Sequence, residues 1–192
     1  MFTTAQPTTG TQTVYAIDPA HSLVEFSVKH MMFTTVKGRF ADVSGRIAAD
    51  EQNPANSSVE VTIDAASVDT RQEQRDAHLR SADFFDTETY PTITFRSTRV
   101  EPTGSDELKV YGDLTIHGVT REVALDTTFN GRGVNPWGAQ VVGYSAATQI
   151  NRKDFGLTYN AALETGGVLV GDTVKIALEI EATPPTGDSA RE

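Results

Sequence analysis

Cysteine is absent from the 192-residue chain, which excludes disulfide frameworks, thiolate nucleophiles and sulfur-ligated metal sites. Stability must come from packing. No segment approaches the roughly 18 consecutive apolar residues of a membrane helix. The opening MFTTAQPTTGTQ lacks both the basic start and the apolar stretch of a secretory signal. A soluble protein is therefore expected, without membrane insertion and cytoplasmic in location, with a periplasmic or extracellular address only for a chain trimmed of its leader. Positive charge is also scarce: 16 Lys and Arg against 26 Asp and Glu give a formal net charge of -10, which repels polyanions and sets nucleic acid aside as a partner.

Histidine is sparse as well, confined to His21, His30, His78 and His117. His21 and His30 are read as nine residues apart on one strand, roughly 30 Å at ~3.3 Å per residue, and so unable to share an ion. His117 suits a hairpin turn. His78 beside Asp76 suits a solvated or capping position on a helix. Neither a metal site nor a cofactor is expected. The chain also lacks a Gly-rich phosphate loop, a GxSxG elbow and an HExxH pair.

Alternation, by contrast, is abundant. Val24, Phe26 and Val28 interleave with Glu25, Ser27 and Lys29, and Val59, Val61 and Ile63 interleave with Glu60 and Thr62. The same period of two recurs at Ile93 and Phe95, at Leu108, Val110 and Leu114, at Val123, Leu125 and Phe129, and at Val174, Ile176, Leu178 and Ile180. These are half-buried strands, and an all-β antiparallel fold follows. A two-residue turn at His117-Gly118 would set Ile116 opposite Val119, Gly112 opposite Val123 and Val110 opposite Leu125, with Leu114 facing Arg121. His30 shares the parity of Val28 and is expected to point inward.

One helical interruption is predicted around 70–82, where Thr70 and Glu73 have capping-box spacing. It is short and polar, and Phe84-Phe85 are expected to staple it to the barrel. The body is read as one domain over 13–183, flanked by loose tails at 1–12 and 184–192.

YAIDPAHSLVEFSVKH (Tyr15 to His30), RDAHLRSADFFDTETYPTITFRS (Arg75 to Ser97), GDLTIHGVTREV (Gly112 to Val123) and INRKDFGL (Ile150 to Leu157) together resemble the YceI-like family of polyisoprenoid-binding proteins. The resemblance implies an extended eight-stranded, lipocalin-like antiparallel barrel with a helical segment. Its interior would be a hydrophobic tunnel for a long-chain isoprenoid such as a polyprenyl phosphate, a polyprenyl pyrophosphate or a prenyl quinone, bound for carriage or sequestration. Asn151, Arg152, Asp154 and Phe155 align with the family's basic and aromatic motif.

Read with the parity of the strands, the expected tunnel wall comprises Val24, Phe26, Val28, Val59, Val61, Ile63, Ile93, Phe95, Val110, Val123, Leu125, Phe129, Ile176 and Leu178. His30, Arg121 and Arg152 are the candidates for a polar head group at the mouth. No catalytic residue is assigned, and a homodimer is left open. Two rivals stand beside this reading. An isoprenoid isomerase or cyclase would need two inward titratable groups with opposed pKa shifts. An interaction module with a filled core would purify without lipid.

Overall fold

The period-two segments become strands in a computed structural model of the chain, which describes residues 12–185. In order these are β1 (Thr13–Ile17), β2 (Leu23–His30), β3 (Thr34–Phe40), β4 (Val43–Ala49), β5 (Ser58–Asp64), β6 (Val68–Asp69), β7 (Thr92–Pro102), β8 (Glu107–Ile116), β9 (Val119–Val134), β10 (Gln140–Asn151) and β11 (Val170–Thr183). One α-helix, α1 (Glu73–Arg80), interrupts them.

Pairing reduces these segments to eight barrel strands. β1 and β2 both pair with β11, β3 pairs with β2 while β4 pairs with β1, and β6 pairs with β3 while β5 pairs with β4. Each couple β1–β2, β3–β4 and β5–β6 is thus one wall strand with a bend in it. The order is up-and-down and antiparallel, and β11 closes the ring onto the first couple. Small barrels need such bends to coil tightly. Closure pairs backbone groups that an open sheet would leave at an edge.

The predicted hairpin forms in the expected register, with Ile116 opposite Val119, Gly112 opposite Val123, Val110 opposite Leu125 and Leu114 opposite Arg121. Its turn residues His117 and Gly118 have φ of 52° and 70°, the left-handed pair that matches the strand twist. At Gly118 a Cβ would also meet the Tyr90 ring at 2.5 Å. On β3, Gly38 makes room for the Phe26 ring, which lies where its Cβ would be.

Two local expectations are corrected. Thr70 and Glu73 do not form a capping box: Arg71 is left-handed (φ 62°), so the helix starts later, at Glu73, with the Gln72 side chain accepting from Arg75 N–H at 2.5 Å. Thr70 is buried instead, donating through N–H and Oγ1 to Asp76 Oδ1 at 2.9 and 2.5 Å. His21 lies in the bend before β2 and not on one strand with His30. The expected tails fall outside the described residues except for Gln12, Pro184 and Pro185, and Gln12 Nε2 donates to the Asn56 carbonyl at 2.6 Å. The predicted staple exists, for Phe85 meets Phe40 edge-on at 5.6 Å.

Candidate functional site

Strand parity turns the apolar side chains inward, and they do not fill the space they enclose. A cavity of about 410 Å³ runs through the barrel, within the range of about 300–1,000 Å³ found for small-molecule pockets. Every residue expected in the tunnel wall borders it except Phe129. Phe129 packs on Tyr144 at 5.3 Å in a separate cluster with Tyr15, Ala49, Val142 and Ala182. Parity told correctly that Phe129 faces in, but it carries no information on axial level.

Val61, Ile63, Leu125, Ile176 and Leu178 point inward yet are only half-buried. A packed core would cover them. Along β11 the lining extends from Val170 to Ile180, with a bulge between Val170 and Val174. The Ile180 end is sealed, with Tyr15 2% and Ala182 0% exposed, and burial pushes the Tyr144 phenol up.

The opposite end carries much of the polar lining: His30 on β2, Thr70, Arg75 and His78 around α1, and Tyr159 and Arg152 beyond β10. His78, Phe84 and Tyr159 form a ring cluster with centroids 4.9–5.1 Å apart. His78 Nε2 meets Asp83 Oδ2 at 2.8 Å, so the residue read as solvated is anchored at the cavity's border. Arg75 donates to Thr70 Oγ1 at 2.7 Å and to its carbonyl at 2.9 Å. The sequence did not reveal Arg75, His78 or Tyr159 as lining residues because they sit on a helix and an irregular segment, where no period marks the inward side.

The two arginines chosen from sequence behave differently from expectation. Arg121 is exposed, donates to the Thr120 carbonyl at 2.9 Å and does not border the cavity. Its long side chain leaves the Leu114 face for water. Arg152 does border it but is only 3% exposed, with its donors directed at the carbonyls of Gly171 (2.9 Å), Leu157 (2.6 Å), Tyr159 (2.8 Å) and Val170 (3.4 Å). Asp172 Oδ1 lies 3.5 Å from Nη2. Desolvation lowers the Arg152 pKa, yet a guanidinium stays charged in proteins. Arg152 is therefore a clamp on the segment that edges the cavity.

His21, Asp18 and Glu181 present ligand atoms within 4.8 Å of one another, the one such group of metal-ligand types among the described residues. Glu181 is distant in sequence, so spacing arguments could not see it. A local turn accounts for the contacts: Asp18 Oδ1 accepts from Ala20 N–H and Oδ2 meets His21 Nδ1, both at 2.8 Å. The Asp18 hydrogen bond raises the His21 pKa above 6.5, with the charges of Asp18 and Glu181 adding to it. A raised folded-state pKa means that the pair's contribution is present in full below the unfolded value and fades as pH rises through the folded one. Imidazole NMR titration is expected to place His21 above the ordinary value, and Asp18→Asn to return it there. No shift between the two proteins would remove the pair from the account.

Set against known proteins, residues 15–182 match the model of the YceI-like domain. A UPF0312 protein of Staphylococcus aureus is 41% identical over 170 residues, covering 88% of this chain and 96% of the relative. The crystal structure of BcnA from Burkholderia cenocepacia aligns with a TM-score of 0.77 at 29% identity, over 87% of this chain and 99% of that one. A polyisoprenoid-binding domain from Saccharophagus degradans, implicated in plant cell wall breakdown, has the same fold with a TM-score of 0.66 at 20% identity, over 89% and 98% of the two chains. Among the described residues, no helix is long and apolar enough to cross a membrane.

Proposed function

Since the chain belongs to the YceI-like family, we propose that its barrel binds a long-chain isoprenoid lipid, a polyprenyl phosphate or pyrophosphate or a prenyl quinone, and carries or sequesters it. One observation carries this reading: an apolar cavity of about 410 Å³ that the inward side chains leave open. Each buried CH₂ contributes about 0.8 kcal/mol before ordering costs, so the tail sets affinity. The sealed end receives the tail. His30 is the one head-group candidate from sequence that borders the polar end without being committed to backbone carbonyls, and it orients the head. The polyisoprenoid-binding domain from Saccharophagus degradans supports the ligand class by likeness of fold.

Binding is preferred over catalysis because the lining holds a single carboxylate among the described residues, Glu25, and that group is engaged by Lys37 Nζ at 3.1 Å. Native mass spectrometry of freshly purified protein, followed by organic extraction, is expected to yield an isoprenoid in near-stoichiometric amount. Empty extracts together with no uptake of added prenyl quinone or polyprenyl phosphate would return the field to the interaction module.

A further inference from the structure

We propose that the β2–β3 turn is a membrane-docking tip that sets the polar end of the cavity against the interfacial zone of a lipid bilayer. The inference rests on the lipid-binding reading above and adds the surface from which the ligand is taken.

Three observations converge on this turn. First, Met32 and Phe33 are 59% and 82% exposed, and Val168 on the neighbouring segment is 38% exposed. Water-facing apolar side chains scattered singly need no explanation, but a cluster at one end of a lipid cavity does.

Second, the backbone holds them there at a cost. The turn is closed by Phe33 N–H donating to the His30 carbonyl at 3.1 Å, with Met31 at φ 50° and Met32 at φ 64°. Asn and Gly are the ordinary occupants of consecutive left-handed positions in a hairpin. Two methionines gain nothing for the fold in that conformation. They do place flexible, polarisable side chains on a protruding tip, the kind of surface that adapts to a fluid partner.

Third, the tip is joined to the cavity. His30, which borders the cavity, immediately precedes it, and Met31 N–H donates to the carbonyl of Leu169, another lining residue, at 2.8 Å. A tip seated in the acyl–headgroup boundary would bring the His30 and Leu169 border to the depth at which an isoprenoid's polar head resides. Its water-insoluble ligand then need not cross water. The formal charge of -10 selects zwitterionic over anionic bilayers.

The single tryptophan makes the test directional. Trp137, 85% exposed, lies in the β9–β10 turn, at the sealed end of the barrel. Wild type is expected to float with phosphatidylcholine vesicles while Trp137 emission stays unchanged. In Phe33→Trp with Trp137→Phe, emission should shift to the blue and be quenched by brominated lipid. Met32→Ser with Phe33→Ser is expected to lose vesicle partitioning by about tenfold or more, the loss of one buried aromatic sufficing. The same variant should load prenyl quinone from vesicles at least roughly tenfold more slowly, yet load it from detergent as wild type does.

Flotation unaffected by the double serine variant would overturn the proposal, as would a blue shift of Trp137 in wild type. So would light scattering that finds a dimer which the double serine variant dissociates, with no vesicle association. Tip-dependent flotation without quinone uptake from detergent would sink the lipid-carrier reading alone, leaving the docking surface in place.

Discussion

Val61→Trp is expected to melt near the temperature of the ligand-free wild type while losing most of its isoprenoid binding. Val61 lies mid-strand on β5, between Gly45 of β4 and Phe95 of β7, and faces the cavity half-buried. Adding an indole to a filled interior costs about 1–3 kcal/mol through displaced rotamers and backbone. Here the ring enters a void of about 410 Å³, so the wall need not strain. The space it takes is space for the tail, and each displaced methylene removes about 0.8 kcal/mol of burial from the complex. Thermal melting of delipidated protein and titration with a prenyl quinone read the two effects separately. Ready unfolding would indicate a packed interior, and binding at full strength would place the tail away from Val61.

Arg152→Met should produce the largest loss of stability of any single change considered. The methionine keeps much of the buried aliphatic volume but strips the donors from the carbonyls of Leu157, Tyr159, Val170 and Gly171. Removing one member of a buried polar network costs about 3–5 kcal/mol. For a chain of this length that is a fall in melting temperature on the order of 10 °C. Arg152→Lys should recover little, since one ammonium cannot serve carbonyls spread across the guanidinium fork. Hydrogen exchange should rise first at Leu169 and Val170, which edge the cavity. A variant as stable as wild type would show that the segment holds itself, through Asn160 and its paired bonds with Val170 at 2.8 and 3.0 Å.

Much of the wall is legible in the sequence. Strand parity placed Val59, Val61 and Ile63 on one face because a strand has a period of two and a barrel has an inside. The β8–β9 register followed from His117-Gly118, because a two-residue turn leaves no slack. What resisted reading was whatever depends on position along the axis or on distant chain. Phe129 faces inward but at the sealed end, a level that alternation does not encode. Arg152 looked like a free cation because its acceptors are main-chain carbonyls, which a sequence does not display. Helix α1 began later than its capping pattern implied, since Thr70 was drawn into a buried bond with Asp76 that competes with the cap.

The packed end formed by Tyr15, Val142 and Ala182 gives the barrel a direction. A tube open at both ends can be threaded either way, whereas a blind one admits a guest tail first and releases it head first. The isoprenoid proposed above, held in this way, would keep its polar group at the threshold throughout. A recipient enzyme or membrane could then grip the head while the tail is still sheathed, and hand-over would proceed by withdrawal, with little of the tail bare to water at any moment.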